Sequence, residues 1–304
     1  VSSLPHVRRA AGVALALLAL AVPANLSACG GLAGEPASPA ASSTSSSGPP
    51  DVQAWSGILI ERRSGEVLWS KSPDRELPPA SCTKIMTALL VLERVPDLDA
   101  WATVPVIPLP QTVGVDLRPG DRISVRQALY ALMVKSANDA ALTLASHVAG
   151  SEKRFVVLMN RRARQLGLRH THFVNCRGTP ERGHHSSARD LAALGRFAMR
   201  GATFRKLVGT KTAVIRYPPD AAVPVESHNR LLDYPWGDGI KTGATDASGK
   251  VLVGSGKPGP VALIVVTMHE PTRDQEERDA LALFAWGSSL YQDDSPRPSP
   301  TPSP

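Results

Sequence analysis

Ser81 and Lys84 stand three positions apart in the run Leu77-Pro78-Pro79-Ala80-Ser81-Cys82-Thr83-Lys84-Ile85-Met86-Thr87, at the head of a helical pattern. On a helix that spacing places two side chains on one face. A serine hydroxyl is a poor nucleophile at neutral pH unless a base lies within hydrogen-bond reach, and a lysine amine one turn on can be that base. The same tetrapeptide also fits a capped helix with a surface lysine, so the chemistry depends on partners elsewhere. Two short runs offer them. Ser136 and Asn138 occur in Met133-Val134-Lys135-Ser136-Ala137-Asn138-Asp139-Ala140, at a break between helices, and Lys241, Thr242 and Gly243 occur in Asp238-Gly239-Ile240-Lys241-Thr242-Gly243-Ala244-Thr245, on a late strand. Each is weak alone: Ser227-His228-Asn229 and Lys211-Thr212-Ala213 imitate them, whereas Ser-x-x-Lys has no second copy.

The elements that must position these groups follow from periodicity. Trp55–Ile60 and Glu66–Trp69 flank Arg62-Arg63-Ser64-Gly65 and read as a β-hairpin. Ile85, Ala88, Leu89 and Leu92 recur at helical spacing, predicting a helix over Ser81–Val95. Ser124-x-x-Gln127 is a capping box for a helix ending near Lys135, and a further helix begins near Asp139. Ser151 caps another that Gly167 stops, and Ser187-x-x-Asp190 opens one to about Met199. Thr212–Tyr217, Gly239–Thr242, Lys250–Gly254 and Val261–Met268 read as strands, with a turn over Ser255–Pro260 and a closing helix from about Asp274. Strands at both ends with helices between predict an α+β fold: one antiparallel sheet from the two chain ends and a helical lobe from the middle, with the substrate groove between them.

A chain of 304 residues, 42% hydrophobic, can fill a substantial core. Its net charge of +7 favours an anionic surface such as an acidic envelope polymer, and the lack of a basic run interleaved with aromatics argues against nucleic acid. Arg8-Arg9, the apolar run Ala10–Val22 and the small residues after it form an export signal over residues 1–28. Leu26-Ser27-Ala28-Cys29-Gly30 resembles the bacterial lipobox, which implies a lipid on Cys29 and attachment to the outer face of the cytoplasmic membrane. Residues 29–50, rich in Ser, Pro, Ala and Gly, read as a flexible tether, residues 51–291 as the folded domain, and the Pro-rich residues 292–304 as a disordered tail. Cys82 and Cys176 are then either a disulfide or two buried thiols.

The order Ser-x-x-Lys, Ser-x-Asn, Lys-Thr-Gly is that of class A β-lactamases and penicillin-binding proteins. With the Pro-Pro-Ala-Ser-x-Thr-Lys-Ile-Met-Thr context, the Lys-Ser-Ala-Asn-Asp-Ala run, Thr171–Asn175 with Gly178, and Ser187–Ala192, the chain resembles the low-molecular-weight penicillin-binding proteins, serine D-alanyl-D-alanine carboxypeptidases (peptidase S11). The resemblance covers about Trp55 to Leu290 and implies the β-lactamase/transpeptidase-like fold. Its substrates would be peptidoglycan stem peptides and, covalently, β-lactam antibiotics, with no cofactor. It implies Ser81 as nucleophile, Lys84 as its base and Ser136 as the proton donor to the leaving amine. Asn138 would bind the substrate amide, and Lys241 and Thr242 the terminal carboxylate. Gly243 would let the substrate backbone approach, and the N–H groups of Ser81 and Ala244 would form the oxyanion hole.

A class A β-lactamase shares this order but needs a Glu-x-x-x-Asn segment between the second and third motifs. Glu152, Glu181 and Glu226 are the glutamates there, and none has Asn four residues on. A zinc peptidase is the other competitor, because His170, His172, His184 and His185 cluster; they lack the His-Glu-x-x-His pattern and read as surface histidines. Two features depart from the family pattern: Thr112–Leu117 lacks the small hydroxyl residues that the resemblance leads one to expect before Gly120-Asp121, and Cys176 stands where a proline is usual. Both bear on substrate preference.

Overall fold

A computed structural model of the chain describes residues 48–106 and 113–292. The export signal, Cys29, all but the last three tether residues, the tail from residue 293 and residues 107–112 lie outside them.

The two chain ends meet in one five-stranded sheet. In chain order its strands are β1 (Ser56–Glu61), β2 (Val67–Lys71), β7 (Gly237–Thr245), β8 (Gly249–Gly256) and β9 (Leu263–Glu270). Their spatial order is β2-β1-β9-β8-β7, with every neighbouring pair antiparallel. Side chains alternate across a strand, and here both faces are buried. Ile58, Ile60, Val251, Val253, Ile264 and Val266 join the core shared with the helical lobe. Leu59, Leu252, Leu263 and Val265 point the other way, against Leu283 and Phe284 of the closing helix α7 (Arg273–Ser289).

Between the sheet halves run α1 (Lys84–Arg94), β3 (Trp101–Thr103), β4 (Arg122–Ser124), α2 (Val125–Tyr130), α3 (Asn138–Ala149), α4 (Glu152–Gln165), α5 (Ala188–Ala198) and α6 (Ala202–Val208). The serines at positions 124, 151 and 187 cap α2, α4 and α5 by accepting the N–H three residues on, as their sequence pattern requires. Two helix boundaries differ from expectation. Ser81 precedes α1, in a 3-10 turn over Ala80–Thr83. The capped helix at Ser124 changes after Tyr130 into a π-helical turn over Ala131–Lys135, which stops at Ser136 in the left-handed region, φ +65°. The short β3, β4 and α6 escaped periodicity because three to seven residues hold too few repeats.

Thr212–Tyr217 is a strand, β5, but not part of the main sheet. It pairs with β6 (Ala221–Glu226) in a separate ribbon. Its alternation explains this: Thr212, Val214 and Arg216 are exposed, and a strand dressed on one face only cannot replace one that is apolar on both. The ribbon docks on the helical lobe, where Tyr217 Oη donates to the Val115 carbonyl at 2.8 Å and Gln127 Oε1 accepts from Arg216 N at 2.9 Å.

One buried charge makes stability pH-dependent. Glu270 ends β9 with no exposed surface. Burial, and then Asp279 of α7, push its carboxyl from 4.5 up to about 8. A raised carboxyl pKa means that the folded protein holds the proton more tightly than the unfolded chain, so destabilisation accumulates as pH rises from about 4.5 to about 8. Glu270→Gln is expected to match wild type in melting temperature near pH 4.5 and to exceed it by roughly 5–10 °C at pH 8. Calorimetry across that range tests it; a difference independent of pH would contradict the assignment.

Candidate active site

The site begins with a turn pinned from both sides. Ala80 holds φ +47°, which costs a residue bearing Cβ of order 1–3 kcal/mol unless its surroundings enforce it. Two glycines do so. A Cβ on Gly178, itself at φ +83°, would lie 1.8 Å from the Ala80 carbonyl oxygen, and one on Gly243 would lie 2.8 Å from Ala80 Cβ and 2.9 Å from Ser81 N. The bare face of Gly243 makes room for the backbone of Ser81. Strand β7 is thereby laid directly against Ser81.

The Lys84 N–H closes the 3-10 turn on the Ser81 carbonyl, and that i to i+3 spacing brings the two side chains nearly into line. Lys84 Nζ is 3.0 Å from Ser81 Oγ, 2.9 Å from Asn138 Oδ1 and 2.6 Å from the Arg177 carbonyl oxygen. Lys84 is fully buried. Burial first, and the nearby Lys241 second, pull its pKa well below the ordinary lysine value, so the neutral amine is favoured. A neutral amine has two N–H groups and one lone pair. The Asn138 and Arg177 oxygens can only accept, so they take the two N–H groups. The lone pair is left for the Ser81 hydroxyl proton, which is the orientation a general base requires.

Three chain segments thus converge. Ser136 and Asn138 flank the entry to α3, with Asn138 N bonded to the Val113 carbonyl. Asp139 locks the same corner: its buried carboxylate accepts from Val115 N at 2.9 Å, Leu117 N at 3.1 Å and Ala140 N at 2.7 Å. Gly114 lies so close that a Cβ there would meet Asp139 Oδ2 at 2.6 Å. The departure at Thr112–Leu117 is therefore a segment strapped to α3, with residue 112 outside the described part. Lys241 and Thr242 come from the middle of β7, both nearly buried. Burial lowers the Lys241 pKa to about 8, and its Nζ donates to the Thr242 carbonyl at 3.0 Å. Ala244 follows Gly243 on the same strand. Arg273, at the head of α7, donates to the Gly243 carbonyl at 3.0 Å and pairs with Glu276 at 2.6 Å, which fixes its guanidinium against this end of β7.

A fourth segment supports the other three, and most of it was hidden in the sequence. Asn175 Oδ1 accepts from Arg177 N, Gly178 N and Thr179 N at 3.2, 2.7 and 3.2 Å. This Asn-built turn carries the Arg177 carbonyl to Lys84 and Gly178 to Ala80. Behind it Glu152 accepts from Cys176 N at 3.0 Å and Arg177 Nε at 3.2 Å. His184, expected at the surface, is buried. Its Nδ1 accepts the Val174 N–H at 3.1 Å, so Nε2 carries the proton and donates to Thr83 Oγ1 at 2.8 Å. Burial lowers its pKa to about 4, keeping this neutral tautomer as a brace under the Ser81 turn. Among the described residues no three His, Cys, Asp or Glu side chains are arranged to hold a metal ion.

Cys82 and Cys176 are two free, buried thiols, not a disulfide. Cys82 faces the Lys241 carbonyl at 3.5 Å, and Cys176 faces Glu152 Oε1 at 3.1 Å. Burial pushes the Cys82 thiol up to about 12 and raises Cys176 as well, so neither is a reactive thiolate.

Comparison with known proteins shows the family and the fold. The curated D-alanyl-D-alanine carboxypeptidase DacF of Bacillus subtilis is 33% identical over 246 residues, covering 79% of this chain and 63% of its own length. DacB2 of Mycobacterium tuberculosis is 31% identical, with 79% and 84% covered. The chain thus spans slightly less than two thirds of several longer relatives, including 64% of DacA of Escherichia coli. Among solved structures, the Streptomyces K15 DD-transpeptidase superposes with a TM-score of 0.75 at 30% identity, over 80% of this chain and 100% of the other. Penicillin binding protein 6B of Escherichia coli gives 0.73 at 32%, over 79% and 78%. The α+β architecture is therefore that of the penicillin-binding, transpeptidase-like fold. Residues 43–272 match the peptidase S11 family, D-alanyl-D-alanine carboxypeptidase, and with the convergence of all three motifs on one turn this places the chain in that family.

Proposed function

We propose that the protein is a serine-type D-alanyl-D-alanine carboxypeptidase of the cell envelope, exported and held at the membrane by a lipid on Cys29. The observation that carries this reading is the buried Lys84 amine, whose lone pair has only the Ser81 hydroxyl left to accept. Lys84 takes the Ser81 proton as Oγ attacks the carbonyl of the terminal D-Ala-D-Ala peptide bond. The tetrahedral oxyanion is held by the N–H groups of Ser81 and Ala244, and losing one such donor costs about 3 kcal/mol of transition-state stabilisation. Ser136 passes a proton to the leaving amine, the C–N bond breaks, and D-alanine departs, leaving an ester on Ser81 that water hydrolyses. Asn138 binds the substrate amide. Lys241 and Thr242 bind the terminal carboxylate by charge and hydroxyl.

β-Lactams enter the same sequence through their strained amide, and their adduct is expected to persist. The candidate glutamates are engaged elsewhere: Glu152 by Cys176 and Arg177, and Glu181 by Asn175 Nδ2 at 3.3 Å. Glu226 lies on the exposed edge of β6. A fluorescent penicillin should label wild type with a long-lived adduct and leave Ser81→Ala unlabelled, while wild type releases D-alanine from a stem pentapeptide. Rapid loss of label would indicate a β-lactamase. Labelling without D-alanine release would refute the carboxypeptidase, and absence of labelling would leave a non-catalytic peptidoglycan-binding protein.

A further inference from the structure

Lys84 Nζ must stay beside Ser81 Oγ to take its proton, and one of the groups that hold it there is a backbone oxygen, the Arg177 carbonyl at 2.6 Å. Arg177 stands in the loop between α4 and α5, outside every helix and strand. No regular ladder of backbone bonds fixes its carbonyl, so side chains must. Asn175 Oδ1 accepts from Arg177 N at 3.2 Å. Thr87, one turn beyond Lys84 on α1, donates its hydroxyl to the Cys176 carbonyl at 2.8 Å. Two groups of this short stretch are then still to be held, the Cys176 N–H and the Arg177 guanidinium.

Glu152 takes both. Its Oε1 accepts from Cys176 N at 3.0 Å, from Cys176 Sγ at 3.1 Å and from Arg177 Nε at 3.2 Å, and its Oε2 accepts from Arg177 Nη2 at 3.5 Å. The carboxylate springs from the first residue of α4, where the positive end of the helix favours a negative charge. Hydrogen bonds to an ionised group are roughly twice as strong as those between neutral groups, so one side chain fastens two consecutive residues from behind. A proline at position 176 would have no N–H to give. The cysteine supplies that donor and a second one in its thiol, and it is fully buried, facing Glu152.

We propose that Glu152 is a positioning residue for acylation: through Cys176 and Arg177 it aims the Arg177 carbonyl at Lys84 Nζ and so keeps the amine beside Ser81. This role rests on the reading of Lys84 as the base for Ser81. It makes the cysteine at 176 a matter of base positioning and not of substrate preference, because the buried Cys176 acts on the site through the backbone of Arg177.

The test uses the full chain as wild type, Glu152→Ala, Glu152→Gln, and a control, Glu93→Ala, which removes another partly buried ion pair to α4, that with Arg162 at 2.6 Å. Labelling by a fluorescent penicillin should slow roughly 10- to 100-fold in Glu152→Ala, as for reacting groups displaced by up to about 1 Å. Glu152→Gln keeps an oxygen for the Cys176 N–H but loses the charge on Arg177, so its rate should fall between; Glu93→Ala should match wild type. Two D-Ala-D-Ala peptides that differ in the residue before that pair, lysine or norleucine, should lose kcat/KM by the same factor in Glu152→Ala. Unequal losses would assign the turn to substrate preference and overturn the proposal.

A second comparison separates positioning from general loosening of the fold. In a Lys84→Met background the base is gone, so adding Glu152→Ala should change the residual labelling rate by less than about twofold, because residues that act as a unit are not additive. Loosening would slow both backgrounds alike, and that result would overturn the role even if Glu152→Ala melts below wild type. Wild type that fails to label would sink the enzyme reading and this role together. Wild type that labels, with Glu152→Ala labelling equally fast, would sink this role alone.

Discussion

Lys84→Arg is expected to slow acylation by a fluorescent penicillin by about 10³-fold, and Lys84→Met by a similar amount, in the range that a positioned general base contributes. Arginine is the more telling substitution. It preserves a cation beside Ser81, but guanidinium cannot give up its proton and offers no lone pair. If Lys84 acted only by its charge, arginine would restore much of the rate; as a base, it cannot be replaced that way. The same reasoning sets the pH profile. Acylation by wild type should fail on the acid side, as protonation of Lys84 removes the lone pair. Its pKa is lowered well below the ordinary value by burial and by Lys241, so activity should extend far below the pH at which an ordinary lysine would be protonated. On the alkaline side Lys241 loses its charge through about 8, so carboxylate recognition should weaken there, with KM for the peptide rising before kcat falls. Stopped-flow labelling of both variants and of wild type from pH 4 to 10 checks the acylation profile, and steady-state hydrolysis of the peptide over the same range checks the KM. An arginine variant within tenfold of wild type would refute the base assignment.

Gly178→Ala should produce the second large effect, although the residue touches no substrate in the proposed mechanism. The new methyl group would meet the Ala80 carbonyl oxygen at 1.8 Å, and the alanine would have to hold φ +83°. Backbone cannot yield as a flexible side chain can, so either the Asn175 turn or the Ser81 turn must move. A displacement near 1 Å at reacting atoms costs on the order of 100-fold in rate, and backbone strain of this kind costs about 2–3 kcal/mol of stability. Penicillin labelling should therefore slow by about two orders of magnitude, with a melting temperature lower by roughly 5–10 °C. Gly243→Ala, whose nearest contacts are 2.8–3.1 Å, should follow the same direction with a smaller loss. Labelling rates for Gly178→Ala equal to wild type would show that the turn does not position Ser81.

These two residues differ in how visible they were. Lys84 announces itself because motif and helical spacing are local properties of the chain, and so are the serine caps at positions 124, 151 and 187 and the hairpin around Gly65. The doubly buried strands were legible as apolar runs for the same reason. β5 shows the limit: its period is that of a strand, but period does not say which partner a strand pairs with, and only the one-sided dressing of Val214 and Arg216 separates the ribbon from the sheet.

By itself, the sequence determined the chemical groups, their order and the α+β class, because side-chain type, spacing and periodicity are written in consecutive residues. Tertiary structure decided how those groups could act. Lys84 Nζ is fixed beside Ser81 Oγ because Asn138, 54 residues away, and the Arg177 carbonyl, 93 residues away, are its other two partners. The Ser81 turn is held by glycines on two other segments, His184 is a buried brace, and the cysteines remain apart. Each of these depends on distances between residues far apart in the chain, and such distances are set by how the sheet and the helical lobe pack.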